Sequence, residues 1–438
     1  MKAKRAVLTG LLIASLAFLA QGRALAWGNT WMGALIEQQV TMAQGKLGIL
    51  RYNGAFRLDN AGHDSDIYYG STDAPVPDNT FTVGPEVRFF LPVNKKIVFD
   101  VYESPRYVFF FDTERERALN NFFGGQTHFV FEKFFMQAGM ELVDAKERLS
   151  TELNINVRLK EKSLAGLVLW QVSHDTSLIL QYKRSTFSYE NLTSGVDNIR
   201  ENLNRTESFF NFIASLQHHS KTRFYLDGEC GSISFSEAAS LLRNTRSYGV
   251  YGGIEFLQTA EGARVTSGIH GRINLGYRYF NIYDPQTKDY SGLTGNTSVS
   301  VGFLRLTAFR LFFSRSPQFS AYSGRTFFLQ TIFGVGLARA LSKRCSLYYD
   351  FFYDRNNYPA TDITGGGGME GPADRYTTHS VRLNLRPRRD LEVTFFTNLG
   401  KRHSRLGARP VSEHNFFGFS LIYGSLSGRF SLPIAPSF

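Results

Sequence analysis

The stretch RYTTHSVRLNLRPRRDLEVTFFTNLGKR, residues 375–402, reads as two strands joined by one tight turn. In the first strand Thr377, His379, Val381, Leu383 and Leu385 alternate with Thr378, Ser380, Arg382, Asn384 and Arg386. After the turn Pro387-Arg388-Arg389-Asp390, Leu391, Val393, Phe395, Thr397 and Leu399 alternate with Glu392, Thr394, Phe396 and Asn398. Successive side chains of a strand point to opposite faces, so the hairpin carries one apolar face and one charged, hydrogen-bonding face. A soluble sandwich gives the same alternation with its apolar face turned inward. Repetition, strand length, loop asymmetry and cellular address separate the two.

Working outward, the pattern recurs. Near the other end Leu50, Tyr52, Phe56 and Leu58 alternate with Arg51, Asn53, Ala55 and Arg57, and a long polar loop follows over residues 59–79. A second strand sets Phe81, Val83, Val87, Phe89 and Leu91 against Thr82, Glu86 and Arg88. The turn Val93-Asn94-Lys95-Lys96 leads to a third, with Phe99, Val101, Tyr107 and Phe109 against Asp100, Tyr102, Ser104 and Arg106. Further short turns fall near 132–133, 173–176, 219–221, 259–263, 342–344 and 387–390, with a break expected near 304–308 inside a strand-like run. Polar loops lie between them. About eight turns and nine loops predict about 18 antiparallel strands; residues 151–172, one strand or two, leave 16 open. Long loops alternating with short turns are the rhythm of an all-β, up-and-down transmembrane barrel.

The address agrees. Lys2, Lys4 and Arg5 precede an apolar run over residues 6–20, and Ala24-Leu25-Ala26 supplies small residues for cleavage, so residues 1–26 read as a secretory signal peptide. Residues 27–46 read as a periplasmic lead-in or short helix, with Trp31, Leu35, Gln38 and Met42 able to share one face. The options are a flexible lead-in and a short plug folded into the pore. The barrel takes residues 47–424 and a tail 425–438. No later stretch has the roughly 18 uninterrupted apolar residues of a membrane helix. An exported chain enters a membrane without one only as a closed barrel, which places this one in the outer membrane of a Gram-negative bacterium.

Composition fits without deciding. There are 40 Phe and 21 Tyr, yet the mean hydropathy is −0.20, as expected when lipid-facing and lumen-facing residues alternate. The net charge of +11 falls to +7 without the leader's four basic residues. Such a surplus fits a solvated surface or a basic lumen. Two cysteines, Cys230 and Cys345, are too few for a disulfide-stapled fold. The segment Asn415-Phe416-Phe417-Gly418-Phe419-Ser420-Leu421-Ile422-Tyr423 resembles the C-terminal strand signal read by barrel-assembly machinery, which makes that machinery an expected partner.

Several landmarks carry a family resemblance. They are Gly62-His63-Asp64-Ser65-Asp66, Ser104-Pro105-Arg106-Tyr107, Leu119-Asn120-Asn121, Leu275-Gly276-Tyr277, Asp289-Tyr290-Ser291-Gly292-Leu293 and Arg355-Asn356-Asn357-Tyr358-Pro359. Over about residues 47–423 the chain resembles an outer-membrane β-barrel porin family often encoded beside exopolysaccharide synthesis and export genes. The resemblance implies a conduit for an extracellular polysaccharide, with a periplasmic export partner and outer-membrane lipid and lipopolysaccharide around it. A general diffusion porin for small anionic solutes is the alternative. A barrel-anchored enzyme or adhesion protein is the reading from another class.

No chemistry of an enzyme stands out. There is no Gly-x-Ser-x-Gly elbow and no paired-cysteine metal spacing. Glycines 365–368 lack the Lys and Ser or Thr of a phosphate loop. His63, Asp64 and Asp66 read as an Asx-rich turn rather than a cation site, and His174-Asp175 and His218-His219 as turn residues. No catalytic, cofactor-binding or metal site is expected, and no nucleic acid partner. What remains is the polar face. Arg51, Arg57, Arg88, Arg106, Arg272, Arg278, Arg382 and Arg386 are the expected pore-lining set, with Arg158, Lys160 and Lys183 added on the same reasoning. Facing them stand Glu86, Asp100, Asp227, Glu229, Glu255, Asp350, Asp354 and Glu392. Either ion pairs brace the wall, or unpaired guanidinium groups favour anions. Tyr102, Tyr225 and Tyr251 are expected to offer stacking surfaces to sugars.

Overall fold

The computed structural model describes residues 30–68, 74–148, 152, 155–194, 197–218, 221–256, 268–285, 287–304, 306–322, 325–358, 373–404 and 411–424. The predicted leader and C-terminal tail lie outside them. Eighteen long strands wind in sequence order: β1 (Leu50–Asp64), β2 (Asp78–Pro92), β3 (Ile97–Phe110), β4 (Ala118–Val130), β5 (Phe134–Glu147), β6 (Val157–Gln171), β7 (Thr176–Tyr189), β8 (Arg205–His218) and β9 (Thr222–Phe235). There follow β10 (Thr245–Phe256), β11 (Ile269–Ile282), β12 (Tyr290–Leu304), β13 (Thr307–Phe319), β14 (Phe327–Ala340), β15 (Cys345–Asn357), β16 (Ala373–Arg388), β17 (Leu391–Ser404) and β18 (Ser412–Gly424). Each pairs antiparallel with the next, and β18 returns to β1 through Arg57↔Ile422, Gly62↔Gly418 and Asp64↔Phe416. The barrel is closed. Every strand exceeds the roughly 9–11 residues that cross a bilayer, and closure leaves no edge facing lipid.

The expected break in the run after Thr294 falls between Leu304 and Thr307, and residues 157–171 form one strand, which fixes the count at eighteen. Tight turns gather at one end with the start of β1 and the end of β18, and long loops gather at the other. The first end is periplasmic and the second extracellular. The turn expected near 259–263 lies outside the described residues.

Alternation sorts the wall into two faces. Tyr52, Phe89, Val101, Leu164, Phe212, Val250, Leu275, Val381 and Phe395 are exposed on the outer face, where lipid covers them. Asp100, Ser104, Asp227, Ser247 and Asp350 are buried on the inner face. Among the described residues no helix is long and apolar enough to cross a membrane.

The segment before β1 is ordered, not a flexible lead-in. Helix α1 (Trp31–Thr41) starts where the Thr30 hydroxyl accepts the Gly33 N–H at 3.1 Å. A three-residue strand, Gly45–Leu47, then pairs with the start of β1 and turns back at Gly48, whose φ of 60° suits glycine. A second helix, α2 (Ile199–Leu203), sits in the β7–β8 loop.

Candidate functional site: the lumen

The periplasmic end of the lumen holds α1. Met32, Ile36 and Val40 pack on Phe90, Val98, Val130, Phe135, Leu167, Leu169, Ile179 and Ile213, all inward residues of β2–β8 near the tight turns. The Arg223 guanidinium lies 4.0 Å from the Trp31 ring, tying the helix to β9 as well. The buried stripe is therefore Met32-Ile36-Val40. It is not the expected Trp31-Leu35-Gln38-Met42 face, since Leu35 and Met42 are exposed. Both stripes have helical spacing, and the apolar half-wall of β2–β8 selects between them.

The expected pore-lining arginines lie on the inner face at several heights, from Arg51 and Arg386 near the tight turns to Arg106 and Arg278 nearer the mouth, and almost every one is held. Arg88 reaches Asp100 through two bonds, 2.8 and 2.5 Å, and Gln126 donates to the same carboxylate at 3.0 Å. Arg57 pairs with Asp59 at 2.5 Å and with Glu86 at 3.5 Å; Arg106 lies 3.9 Å from Glu86. Arg278 meets Glu229 at 3.1 Å, Arg382 meets Asp350 at 2.8 Å and Arg386 meets Glu392 at 2.8 Å. Arg272 donates to the Tyr225 hydroxyl at 2.5 Å, and Arg51 to the Gly48 carbonyl at 3.0 Å. These groups act first as braces between neighbouring strands. Lys183 differs: it points into the lumen, is exposed, and has no carboxylate within ion-pair distance among the described residues.

Three expectations are corrected. Arg158 and Lys160 face outward, because in β6 the inward set is Val157, Leu159, Ser163, Leu167 and Leu169. Tyr102, Tyr225 and Tyr251 face inward but are buried, so they offer no open stacking surface. Tyr225 lies over Gly253, where an added Cβ would sit 2.1 Å from its ring.

Sequence reading placed Asp350, Arg382 and Phe396 on the inner face of β13–β17 but missed Arg310, Phe312, Tyr348 and Phe352. There Arg310 also reaches Asp350, at 2.9 and 3.0 Å, so one buried carboxylate serves Arg310 and Arg382. The half-buried rings of Phe312, Tyr348, Phe352 and Phe396 stand on the same inner face. Arg310 lies 4.9 Å from the Phe312 ring and 5.6 Å from Tyr348; Arg382 lies 5.5 Å from Tyr348. Phe312 and Phe352 are 5.2 Å apart, and Phe396 stacks on Phe416 at 5.4 Å. This half faces the lumen across from α1. The available signal was the Arg310-x-Phe312 spacing, which puts a guanidinium and a ring on one face of a strand.

At the extracellular end the loops meet across the mouth. Glu152, in the β5–β6 loop, accepts the Ser320 hydroxyl at 2.8 Å and the Ala321 N–H at 2.7 Å, both in the β13–β14 loop. Arg243, before β10, donates to the carbonyls of Asn202, Ser320, Arg325 and Thr326 at 2.5–3.0 Å. Asn202 of α2 in turn donates to the Ala321 carbonyl at 2.8 Å. The β5–β6 and β13–β14 loops are eight strands apart in an eighteen-strand wall, so this network is a strut spanning the opening. Elsewhere on the rim, Asp64 accepts the Asp66 N–H at 3.0 Å and pairs with His414 at 2.8 Å, as a turn does. In the β11–β12 loop, burial raises the Asp289 carboxyl. Bonds from the Ile282 N–H, the Tyr279 hydroxyl and the Asn281 amide outweigh it and hold the group below the usual carboxylate range. Among the described residues no cluster of His, Cys, Asp and Glu is placed to hold a metal.

Solved structures with this architecture include the outer membrane protein OpdK from Pseudomonas aeruginosa. It is 11% identical with a TM-score of 0.50, covering 87% of this chain and 100% of that one. OccK3 (OpdO) from the same organism is 10% identical, TM-score 0.45, covering 85% and 95%. The siderophore receptor PirA from Acinetobacter baumannii is 8% identical, TM-score 0.41, covering 85% and 80%. Such identities speak to fold alone. No curated protein matches. The family model described as "Putative beta-barrel porin 2" matches residues 173–417, more than half of the chain. Closed barrel, loop asymmetry and family match agree: the chain belongs to the beta-barrel porin 2 family and is a channel-forming protein of the Gram-negative outer membrane.

Proposed function

We propose that this barrel is the outer-membrane conduit for a saccharide chain, moving an extracellular polysaccharide outward. The observation that carries the reading is the β13–β17 inner wall, where half-buried aromatic rings alternate with arginine–carboxylate pairs. Ring faces stack on the apolar faces of sugars, while guanidinium and carboxylate groups exchange hydrogen bonds with hydroxyls. Charges already matched hold no anion strongly. Conduction needs several weak sites in a row, and this wall supplies them. An eighteen-strand barrel is wide enough to leave a channel beside α1.

A second reading, diffusion of small anionic solutes, draws on two features. Lys183 is an unmatched lumen cation, and the strut across the mouth narrows the opening. Single-channel recording separates the two. With purified protein in a planar bilayer, neutral and acidic oligosaccharides should produce transient blockades. The triple variant Phe312→Ala, Tyr348→Ala, Phe396→Ala should shorten them at least about fivefold, as expected when stacking worth about 1 kcal/mol is lost at each ring a bound sugar meets. If oligosaccharides leave the current untouched while small carboxylates shift the reversal potential, the saccharide reading falls and the small-anion reading stands.

A further inference from the structure

Inside the lumen the arginines are held, mostly by carboxylates, and basic groups of the mouth loops are matched as well. Arg117 meets Glu114 at 3.0 Å, Lys146 meets Glu116 at 3.1 Å and Arg200 meets Glu237 at 3.2 Å. The tight-turn end differs on one side of the barrel. Lys343 and Arg344 occupy the β14–β15 turn, and Arg388 and Arg389 the β16–β17 turn, with Asp390 the one acid in either. All four basic side chains are exposed, and none makes a hydrogen bond or ion pair among the described residues.

A fifth cation crowds them. The Arg386 N–H donates to the Arg344 carbonyl at 2.7 Å, so these two arginines stand opposite each other, one step below the Cys345↔Leu385 pair. Like charges directly opposite on neighbouring strands destabilise a sheet. Glu392 has both oxygens in use, one by Arg386 at 2.8 Å and the other by the Asn384 amide at 2.6 Å. The fold thus gathers positive charge here that its own acids do not cover.

Its place is the foot of the lumen wall. By alternation Arg344 and Arg386 share the inner face with Tyr348, Asp350 and Arg382, a few residues higher on the same two strands. Those strands carry the rings and arginine–carboxylate pairs of the β13–β17 half-wall. Helix α1 fills the opposite half of this end, resting on inward residues of β2–β8. A chain entering from the periplasm therefore passes the β14–β15 and β16–β17 turns first.

Taking the conduit reading as given, we infer that these two turns capture an acidic saccharide chain at the periplasmic entrance, so that the cargo is a polyanion and not a neutral glycan. Guanidinium forks match carboxylate oxygens two at a time, and lysine adds a mobile point charge. Unmatched charge around an opening draws in ions of the opposite sign and raises their rate of arrival. Above the turns the charges are paired and the chain meets weak sites, so it is drawn in without being trapped. The paired groups of the mouth pull far less, which makes capture one-sided.

The test is single-channel recording of the full barrel in a bilayer of neutral lipid. Short oligogalacturonates are the acidic probe and malto-oligosaccharides of equal length the neutral one. Each is added to one side and then to the other, and the interval between blockades gives its rate of arrival. Taking the acidic-to-neutral ratio of these rates removes differences in access at the two ends. In wild type the ratio should be at least about tenfold larger from one side at low salt. That difference should collapse at about 1 M salt, where the Debye length falls to about 3 Å. The variant Lys343→Gln, Arg344→Gln, Arg388→Gln, Arg389→Gln should bring the larger ratio down to the smaller and leave neutral blockades unchanged. Its heat-resistant migration should be kept, since crowded like charges are removed. Equal ratios from the two sides of the wild-type channel overturn the proposal, need no variant, and point these turns at an acidic protein surface instead. Sidedness that persists in the variant overturns the assigned residues. If neutral chains block and acidic ones show no preferred side, the conduit stands and its cargo is neutral. If neither blocks, the conduit reading falls and this one with it.

Discussion

Asp350 shows how single residues hold the lumen wall. Its carboxylate, 2% exposed, accepts from Arg310 on β13 and Arg382 on β16, so from β15 it joins its neighbour β16 to β13, two strands away on the other side. Asp350→Asn would leave two guanidinium groups close together with no anion between them. The expected cost is on the order of 2 kcal/mol, below that of a fully buried pair because the Arg382 side chain is 42% exposed. Loss of heat-resistant migration at a lower temperature than wild type checks this, and an unchanged transition would show that the pair is incidental. Alternation placed Asp350 and Arg382 on the polar face of the sequence, but it says nothing about partners, which depend on register. Arg310 was out of reach because the run from Thr294 to Ser316 is strand-like throughout and its turn gives little signal. Arg158 and Lys160 went to the wrong face because the start of β6 inverts the usual pattern: Val157 and Leu159 turn inward to pack with Tyr189, Ile199 and Leu203 under the mouth, and the polar residues face out at the rim.

At the scale of elements, α1 is the part most separable from the wall. Its contacts are one-sided, through Met32, Ile36, Val40 and the Trp31 ring against Arg223, and its covalent link to the wall is the short segment into β1. The barrel's own pairing does not pass through it. Deleting residues 30–44 should therefore leave assembly and heat resistance intact while raising single-channel conductance several-fold. Unchanged conductance would place the constriction elsewhere, at the strut. A periplasmic export partner docking at the tight-turn end would meet this helix first. The sequence indicated that a short helix was possible here but not which stripe it buries. Both candidate stripes have the right spacing, and only the inward apolar residues of β2–β8, contributed by seven strands, decide. Those inward apolar residues near the tight turns break the rule that polar side chains line a lumen, and they do so because a helix covers them.

For the whole molecule, strand count, closure and orientation were legible because they rest on local signals repeated eighteen times. Contacts across the mouth were not, since they join loops far apart in sequence through one glutamate and one arginine. That strut is the remaining control point. Glu152 and Arg243 are both buried, and their partners are mostly backbone groups of the mouth loops. Arg243→Ala removes four hydrogen bonds at once and strands carbonyls that the loops have buried, each at about 1–3 kcal/mol. That total exceeds what the small apolar cluster of Ile199, Leu203, Ala321 and their neighbours offers in return. The loops around β7–β8 and β13–β14 should then part, while the strands beneath keep their ladders. Limited proteolysis should cut the variant within these loops at least about tenfold faster than wild type, since opening is governed by local rather than global stability. Heat-resistant migration should be unchanged. Longer oligosaccharides should enter from the extracellular side of the variant and not of wild type. If loop cleavage stays at the wild-type rate, the apolar cluster alone closes the mouth and the strut is dispensable.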